Sequence, residues 1–111
     1  MESRIDDVDE ECTVEVALVV VGGKWKLVIL RHLLDGTLRF GELDRALPGI
    51  TPRMLTRQLR ELEADGLVRR TVYPQVPPKV EYSVTDLGES LRSITDQLER
   101  WGHAYRERSQ R

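Results

Sequence analysis

The sequence predicts a mainly α-helical fold carrying one small β-hairpin, and three observations lead there. Apolar residues recur at helical spacing through most of the chain. The main extended stretch is residues 67–84, two runs of β-formers flanking Pro74-Gln75-Val76-Pro77-Pro78. Strong punctuation at Gly22-Gly23, Asp35-Gly36, Pro48-Gly49 and Gly66 divides the rest into short elements.

Residues 1–11 are polar and acidic and read as a tail. From Cys12 to Val21, Val14, Ala17, Leu18 and Val21 fall at helical spacing, although the β-branched residues leave a buried strand as the alternative. Lys24 to Leu34 reads as a helix with Trp25 near its start and Leu27, Leu30, Leu33 and Leu34 on its inner face. Leu38-Arg39-Phe40 suits a very short strand. Gly41 to Leu47 suits a short helix that Pro48-Gly49 stops.

The segment after that turn is the clearest in the chain. Thr51 is a good N-cap, and Pro52 sits at the first helical position, where its missing N–H costs nothing. Helix formers run to Asp65 and Gly66 supplies the stop. Leu55, Leu59 and Leu62 form one stripe, with Arg53, Thr56, Arg57 and Arg60 roughly opposite. Leu67 to Tyr73 and Lys79 to Val84 then form the hairpin, Val80, Tyr82 and Val84 pointing to one side. A last helix, residues 86–107, begins at a Thr85 N-cap and carries Leu87, Leu91, Ile94, Leu98, Trp101 and Tyr105 at spacings of four and three. One domain over residues 12–107 is expected, with residues 108–111 as a second short tail.

Composition excludes several classes. The chain has 111 residues, 40% hydrophobic and 32% charged, which suits one ordinary globular core. Its longest apolar run, Val16 to Val21, is too short to cross a bilayer and follows acids rather than bases, so a cytoplasmic protein is expected. A single cysteine, Cys12, rules out an internal disulfide, and His32 and His103 have no neighbours at metal-ligand spacing. No metal and no cofactor are expected. Nor is an enzyme: Gly22-Gly23-Lys24 lacks the spacing of a phosphate loop, and no Gly-x-Ser-x-Gly, paired histidine or carboxylate dyad occurs.

The formal charge of −2 argues against a nucleic-acid partner until its distribution is considered. Residues 1–15 carry net −6, whereas residues 24–60 carry net +5. That basic block contains a helix, a short helix, a glycine-containing turn and the two-faced helix, followed directly by a hairpin. This is the order of a winged helix-turn-helix. Its mechanism needs a helix anchored on one side and offering long cationic donors on the other. Arg53 and Arg57, with Thr56 and Met54, are the expected readers of base edges, since the N-terminal part of such a helix reaches the groove floor. Arg60 is expected at a phosphate, Thr51 with the first-turn amides at another, and Lys79 at the backbone or minor groove beside the wing. Solvated arginine decoration is the alternative for the charges. A protein-interaction module, or an RNA-binding or architectural protein without sequence preference, is the alternative for the domain.

The stripe Leu87, Leu91, Ile94, Leu98, Trp101 and Tyr105 is nearly a heptad seam. Together with Val14, Leu18 and Val21 it predicts a homodimer built through the N- and C-terminal helices, reading a near-palindromic duplex operator. The alternative is that the stripe folds back onto its own domain.

From Cys12 to about Trp101 the chain resembles the HxlR-type regulators, small winged-helix transcription factors. The resemblance is carried by Gly22-Gly23-Lys24-Trp25, Leu34-Asp35-Gly36, Arg39-Phe40-Gly41-Glu42-Leu43 and Pro48-Gly49-Ile50-Thr51-Pro52-Arg53-Met54-Leu55-Thr56. It continues through Leu59-Arg60-Glu61-Leu62-Glu63-Ala64-Asp65-Gly66-Leu67-Val68 and Pro77-Pro78-Lys79-Val80-Glu81-Tyr82-Ser83-Val84-Thr85-Asp86-Leu87-Gly88. It implies a dimer joined through terminal helices that represses or activates nearby genes. Members often carry a cysteine where Cys12 stands, and several respond through it to oxidants or electrophiles. The resemblance therefore makes Cys12 a candidate sensor and a small electrophile or oxidant the candidate effector. Proline usually follows that cysteine; here it is Thr13. A helix start would favour the thiolate, while Glu10, Glu11 and Glu15 would favour the neutral thiol. An inert, half-buried cysteine is the alternative.

Overall fold

Helical periodicity wins over β-branching at the start of the chain: Thr13–Val21 is a helix, α1, and Val21 is its buried residue. The computed structural model describes residues 13–110. Cys12 and the acidic tail expected at residues 1–11 lie outside that range, as does Arg111. After Gly22-Gly23 comes α2 (Lys26–Leu34), then β1 (Leu38–Arg39), α3 (Phe40–Ala46) and α4 (Pro52–Ala64). The hairpin is β2 (Val68–Tyr73) and β3 (Lys79–Val84), followed by α5 (Asp86–Glu89) and α6 (Arg92–Ser109).

Helix α2 is more central than its periodicity suggests. Ile29, Leu30, Leu33 and Leu34 are all buried, and so is Lys26 at 4% exposure. The expected inner face lacked Ile29 and Lys26, because α2 is enclosed by α4, α6 and β3 rather than resting on one surface. The core joins these residues to Leu43, Leu47 and Ile50, to Leu55, Leu59 and Leu62 of α4, and to Leu67, Val68 and Tyr82.

The short strand at Leu38 has a role that only the tertiary structure shows. It adds to the hairpin, pairing Leu38 with Tyr82 and Arg39 with Glu81, so the sheet is antiparallel with order β1-β3-β2. Helix α3 starts directly on it, the Arg39 amide donating to Glu42 Oε1 at 2.9 Å. This is a winged helix-turn-helix, with α3 and α4 as the helical pair and β2–β3 as the wing.

The expected single helix over residues 86–107 is two elements. Thr85 caps α5 by accepting from the Gly88 amide at 3.1 Å. The chain then tightens, with Ser90 donating to Leu87 O and Leu91 to Gly88 O, before α6 begins at Arg92. Bonds to the third residue back tighten the turn there and interrupt the α-helix between Glu89 and Arg92. The seam is therefore broken: Leu87 belongs to α5, and Leu91 packs partly against the core. At the other end α6 continues to Ser109, so Arg108 and Ser109 are helical and not part of a tail.

Only the first half of α6 rests on its own domain. Arg92 Nη2 donates to Leu34 O at 2.8 Å, Arg31 Nε meets Glu99 at 3.0 Å, and Thr95 is buried. From Gln97 to Gln110 every residue is exposed.

One ion pair sets α4 against α2. Lys26 Nζ lies 2.7 Å from Glu61 Oε1, with the lysine side chain buried and the glutamate about one-third exposed. Removing the carboxylate strands a buried ammonium, whereas removing the ammonium leaves a carboxylate that water can reach. Glu61→Gln is expected to cost about 1–3 kcal/mol of stability and Lys26→Met measurably less, as read from urea midpoints at constant m-value.

Candidate nucleic-acid interface

Helix α4 is held by its ends as well as by its leucines. At the start, Thr51 Oγ1 accepts from the Met54 amide at 3.1 Å, and Leu55 N donates to Thr51 O at 2.9 Å. Pro52 has no amide to satisfy. Among the described residues this leaves the Arg53 N–H as the unpaired donor of the first turn, next to the Thr51 hydroxyl proton. The anion-binding capacity expected of several first-turn amides is thus concentrated on one amide and one hydroxyl.

The turn ahead of α4 requires Gly49, whose φ of 97° is a left-handed conformation that side chains disfavour. At the far end Gly66, at φ 78°, closes a Schellman motif. Its amide donates to Glu63 O at 3.0 Å, and Leu67 N donates to Leu62 O at 2.9 Å. The helix therefore has a defined length and a defined roll.

That roll divides the side chains sharply. Leu55, Leu59 and Leu62 are at most 1% exposed. Arg53, Arg57 and Arg60 are exposed, and none of them forms an ion pair among the described residues. Met54 and Thr56 are half-buried at the edge between the two faces. Thr56 spends its hydroxyl proton inside the helix, donating to Pro52 O at 2.8 Å, so it offers a groove its methyl group and an acceptor.

Lys79 is placed differently from the arginines. In the wing it stands opposite Tyr73 and beside Glu81, with Nζ 3.8 Å from Glu81 Oε2 and 4.9 Å from the Tyr73 ring centre. Strand alternation sends this group to the face away from Tyr82 and the core. The hydrogen bond from Tyr73 to Glu81, together with the glutamate's charge, raises the phenol above its ordinary pKa. Lys79 is therefore a partly neutralised cation on the outer face of the wing. The wing also carries Arg69 and Arg70, both exposed and neither singled out in the sequence. Two adjacent arginines project from opposite faces of a strand, and only the register tells which one turns toward α4.

Of the expected interface residues between subunits, Val14, Leu18, Leu87, Ile94, Leu98, Trp101 and Tyr105 are exposed, from 47% for Ile94 to 66% for Val14 and Trp101. Val21 is buried within its own domain and Leu91 is partly so, because both sit where their helices meet the core. Trp101 and Tyr105 stack on each other at 5.3 Å and remain exposed.

A two-faced helix between a glycine turn and a paired wing defines a DNA-binding type of domain, and similarity to known proteins gives its family. The chain belongs to the HxlR-like helix-turn-helix family, whose model matches residues 20–110. It is 56% identical over 98 residues to the HTH-type transcriptional regulator YybR of Bacillus subtilis, covering 88% of this chain and 78% of that protein. Among solved structures it is similar to the redox regulator HypR in its reduced form, with TM-score 0.85 and 54% identity over 89% of this chain and 98% of that one. The oxidized form of HypR matches with TM-score 0.81 and 57% identity, covering 84% and 96%. Among the described residues, no helix is long and apolar enough to cross a membrane.

Arg57 lies at the middle of the exposed face, one turn from the N-terminal end of α4. Arg57→Ala is expected to weaken binding to a preferred duplex by about 1–3 kcal/mol and to relax one base position. Competition titrations against single-base variants of the site provide the measurement.

Proposed function

We propose that this chain is a sequence-specific DNA-binding transcriptional regulator that works as a homodimer on a near-palindromic operator. The observation that carries this is the outward arginine face of α4, without ion pairs among the described residues and held by three buried leucines and by caps at both ends. In this arrangement α4 enters the major groove with Arg53 and Arg57 at base edges and Met54 and Thr56 alongside. Arg60 meets a phosphate further back, the Arg53 amide and Thr51 hydroxyl hold another, and Lys79 lies nearest the backbone beside the wing. The role is one of binding, with no turnover.

Dimer formation is supported by what the single chain leaves uncovered. Ile94, Leu98, Trp101 and Tyr105 form an apolar stripe on a helix whose second half is exposed throughout. An apolar groove of about 270 Å³ between α2 and α6, lined by Leu27, Val28, Thr95 and Leu98 between Arg31 and Glu99, continues that stripe onto the core. Exposed Val14 and Leu18 on α1 add a further apolar face. A second copy related by a two-fold axis would cover all three, and would set two α4 helices about 34 Å apart, one turn of duplex.

We further propose that Cys12 links this dimer to oxidants. Similarity to HypR in reduced and oxidized forms supports it, and the chain offers one cysteine through which a thiol response could run. The balanced step joins the Cys12 thiols of two protomers into a disulfide, with two protons and two electrons passing to an oxidant such as diamide. Cys12 directly precedes α1, so a covalent link there would reset the spacing of the two α4 helices.

Selection of bound sequences from random duplexes tests the central proposal. A near-palindromic consensus, bound at least a hundredfold tighter than random duplex at fixed salt, is the expected result; equal binding of both would refute it. Leu98→Asp is expected to shift the chain from dimer to monomer in sedimentation equilibrium and to abolish operator binding while the monomer stays folded. Cys12→Ser is expected to bind as the unmodified chain does and to lose any change in affinity on diamide treatment.

A further inference from the structure

The register of the wing decides what faces α4. Arg70 stands opposite Tyr82 across the β2–β3 ladder, as Val68 stands opposite Val84 and Val72 opposite Val80. Residues directly opposite in an antiparallel pair project to one face. Tyr82 is buried in the core, so Arg70 lies on the core side of the sheet, where α4 packs, whereas Arg69, opposite Ser83, lies on the outer side. Yet Arg70 is exposed. It stands at the edge of a cleft of about 360 Å³ between α4 and the wing, lined by Thr56, Leu59, Arg60, Glu63, Arg70 and Tyr82.

The lining has a clear division. Leu59 and Tyr82 are buried, while Arg60, Glu63 and Arg70 are exposed and Thr56 has already given its proton to Pro52 O. Neither arginine forms an ion pair among the described residues, although Glu63 shares the cleft. Guanidinium groups from two different elements thus line one cleft, with the Glu63 carboxylate beside them but ion-paired with neither among the described residues. Each can present a planar pair of N–H donors to a tetrahedral oxyanion.

We propose that this cleft is a phosphate site, in which Arg60 of α4 and Arg70 of β2 clasp one backbone phosphate of the duplex between helix and wing. The proposal rests on the DNA-binding function above and adds to it a residue and a site. A duplex phosphate, not a free one, is the fitting occupant. Arg60 follows Arg53 by seven residues and Arg57 by three, so the cleft borders the helix face that carries them, and Glu63 makes a small anion without further contacts a poor competitor. A phosphate held this way anchors the wing to the strand that α4 reads, and so fixes the depth of α4 in the groove. It carries no sequence information.

Binding of the full-length chain to its selected duplex and to a random duplex, measured across a salt series, tests the site. Arg70→Ala should weaken both duplexes by the same factor and reduce the slope of log K against log salt by about one. Over a fourfold rise in salt it should therefore lose about fourfold less affinity than the unmodified chain. Arg70→Lys should keep the slope, Arg69→Ala should leave slope and affinity unchanged, and Glu63→Gln should tighten both duplexes. Inorganic phosphate at equal ionic strength should compete no better than chloride. An unchanged slope in Arg70→Ala, an equal loss in Arg69→Ala, or selective competition by phosphate would overturn the site while leaving specific binding intact. Failure of the unmodified chain to prefer any duplex would overturn the function beneath it as well.

Discussion

Burial of Leu55, Leu59 and Leu62 is the constraint on which the rest of this structure depends. Each fully buried leucine contributes about 1.5–3 kcal/mol by removal from water, so the three together rival the net stability of about 5–15 kcal/mol typical of a small domain. Rolling α4 to hide its arginines would expose that stripe and bury three charges, each costing several kcal/mol if unpaired. The arginine face is therefore outward because the leucine face cannot be. A helix that reads a groove must not rotate, and here rotation is coupled to unfolding.

Three weaker devices refine what the leucines impose. Thr51 and the Gly66 turn set where α4 begins and ends, and the Lys26–Glu61 pair sets its azimuth against α2. The wing is fixed to the same core through Tyr82, which also stands opposite Leu38 of the short first strand. Helix and wing are in this way one rigid body, a precondition for two side chains from different elements to meet one phosphate.

The terminal helix follows the opposite logic. Helix α6 is tied to α2 by Arg31, Arg92 and Thr95 over its first turns and then leaves the domain with its apolar side chains uncovered. An 18-residue helix with an exposed aromatic and aliphatic stripe is costly for a lone monomer in water. In the proposed dimer, pairing with a second copy would remove that cost and at the same time set the distance between two reading helices.

Much of this was legible in the chain. Periodicity placed α2, α3 and α4, Thr51, Pro52 and Gly66 marked the limits of α4, and proline marked the tip of the wing, because these are local choices of backbone and of one face. Resemblance in motif order pointed to the family that similarity then assigned. What needed the tertiary structure were matters of register and enclosure. Period-two alternation says that Arg69 and Arg70 face opposite ways but not which faces α4; pairing with Tyr82 across the ladder decides it. Lys79, expected at the backbone or minor groove beside the wing, is engaged by Glu81 and Tyr73 through the same register. Ile29 and Lys26 are buried because three elements surround α2, Val21 and Leu91 turn inward where their helices meet the core, and bonds to the third residue back break the last helix at Ser90. Sequence specifies which faces a segment has; only contacts between segments distant in the chain select the neighbour each face meets.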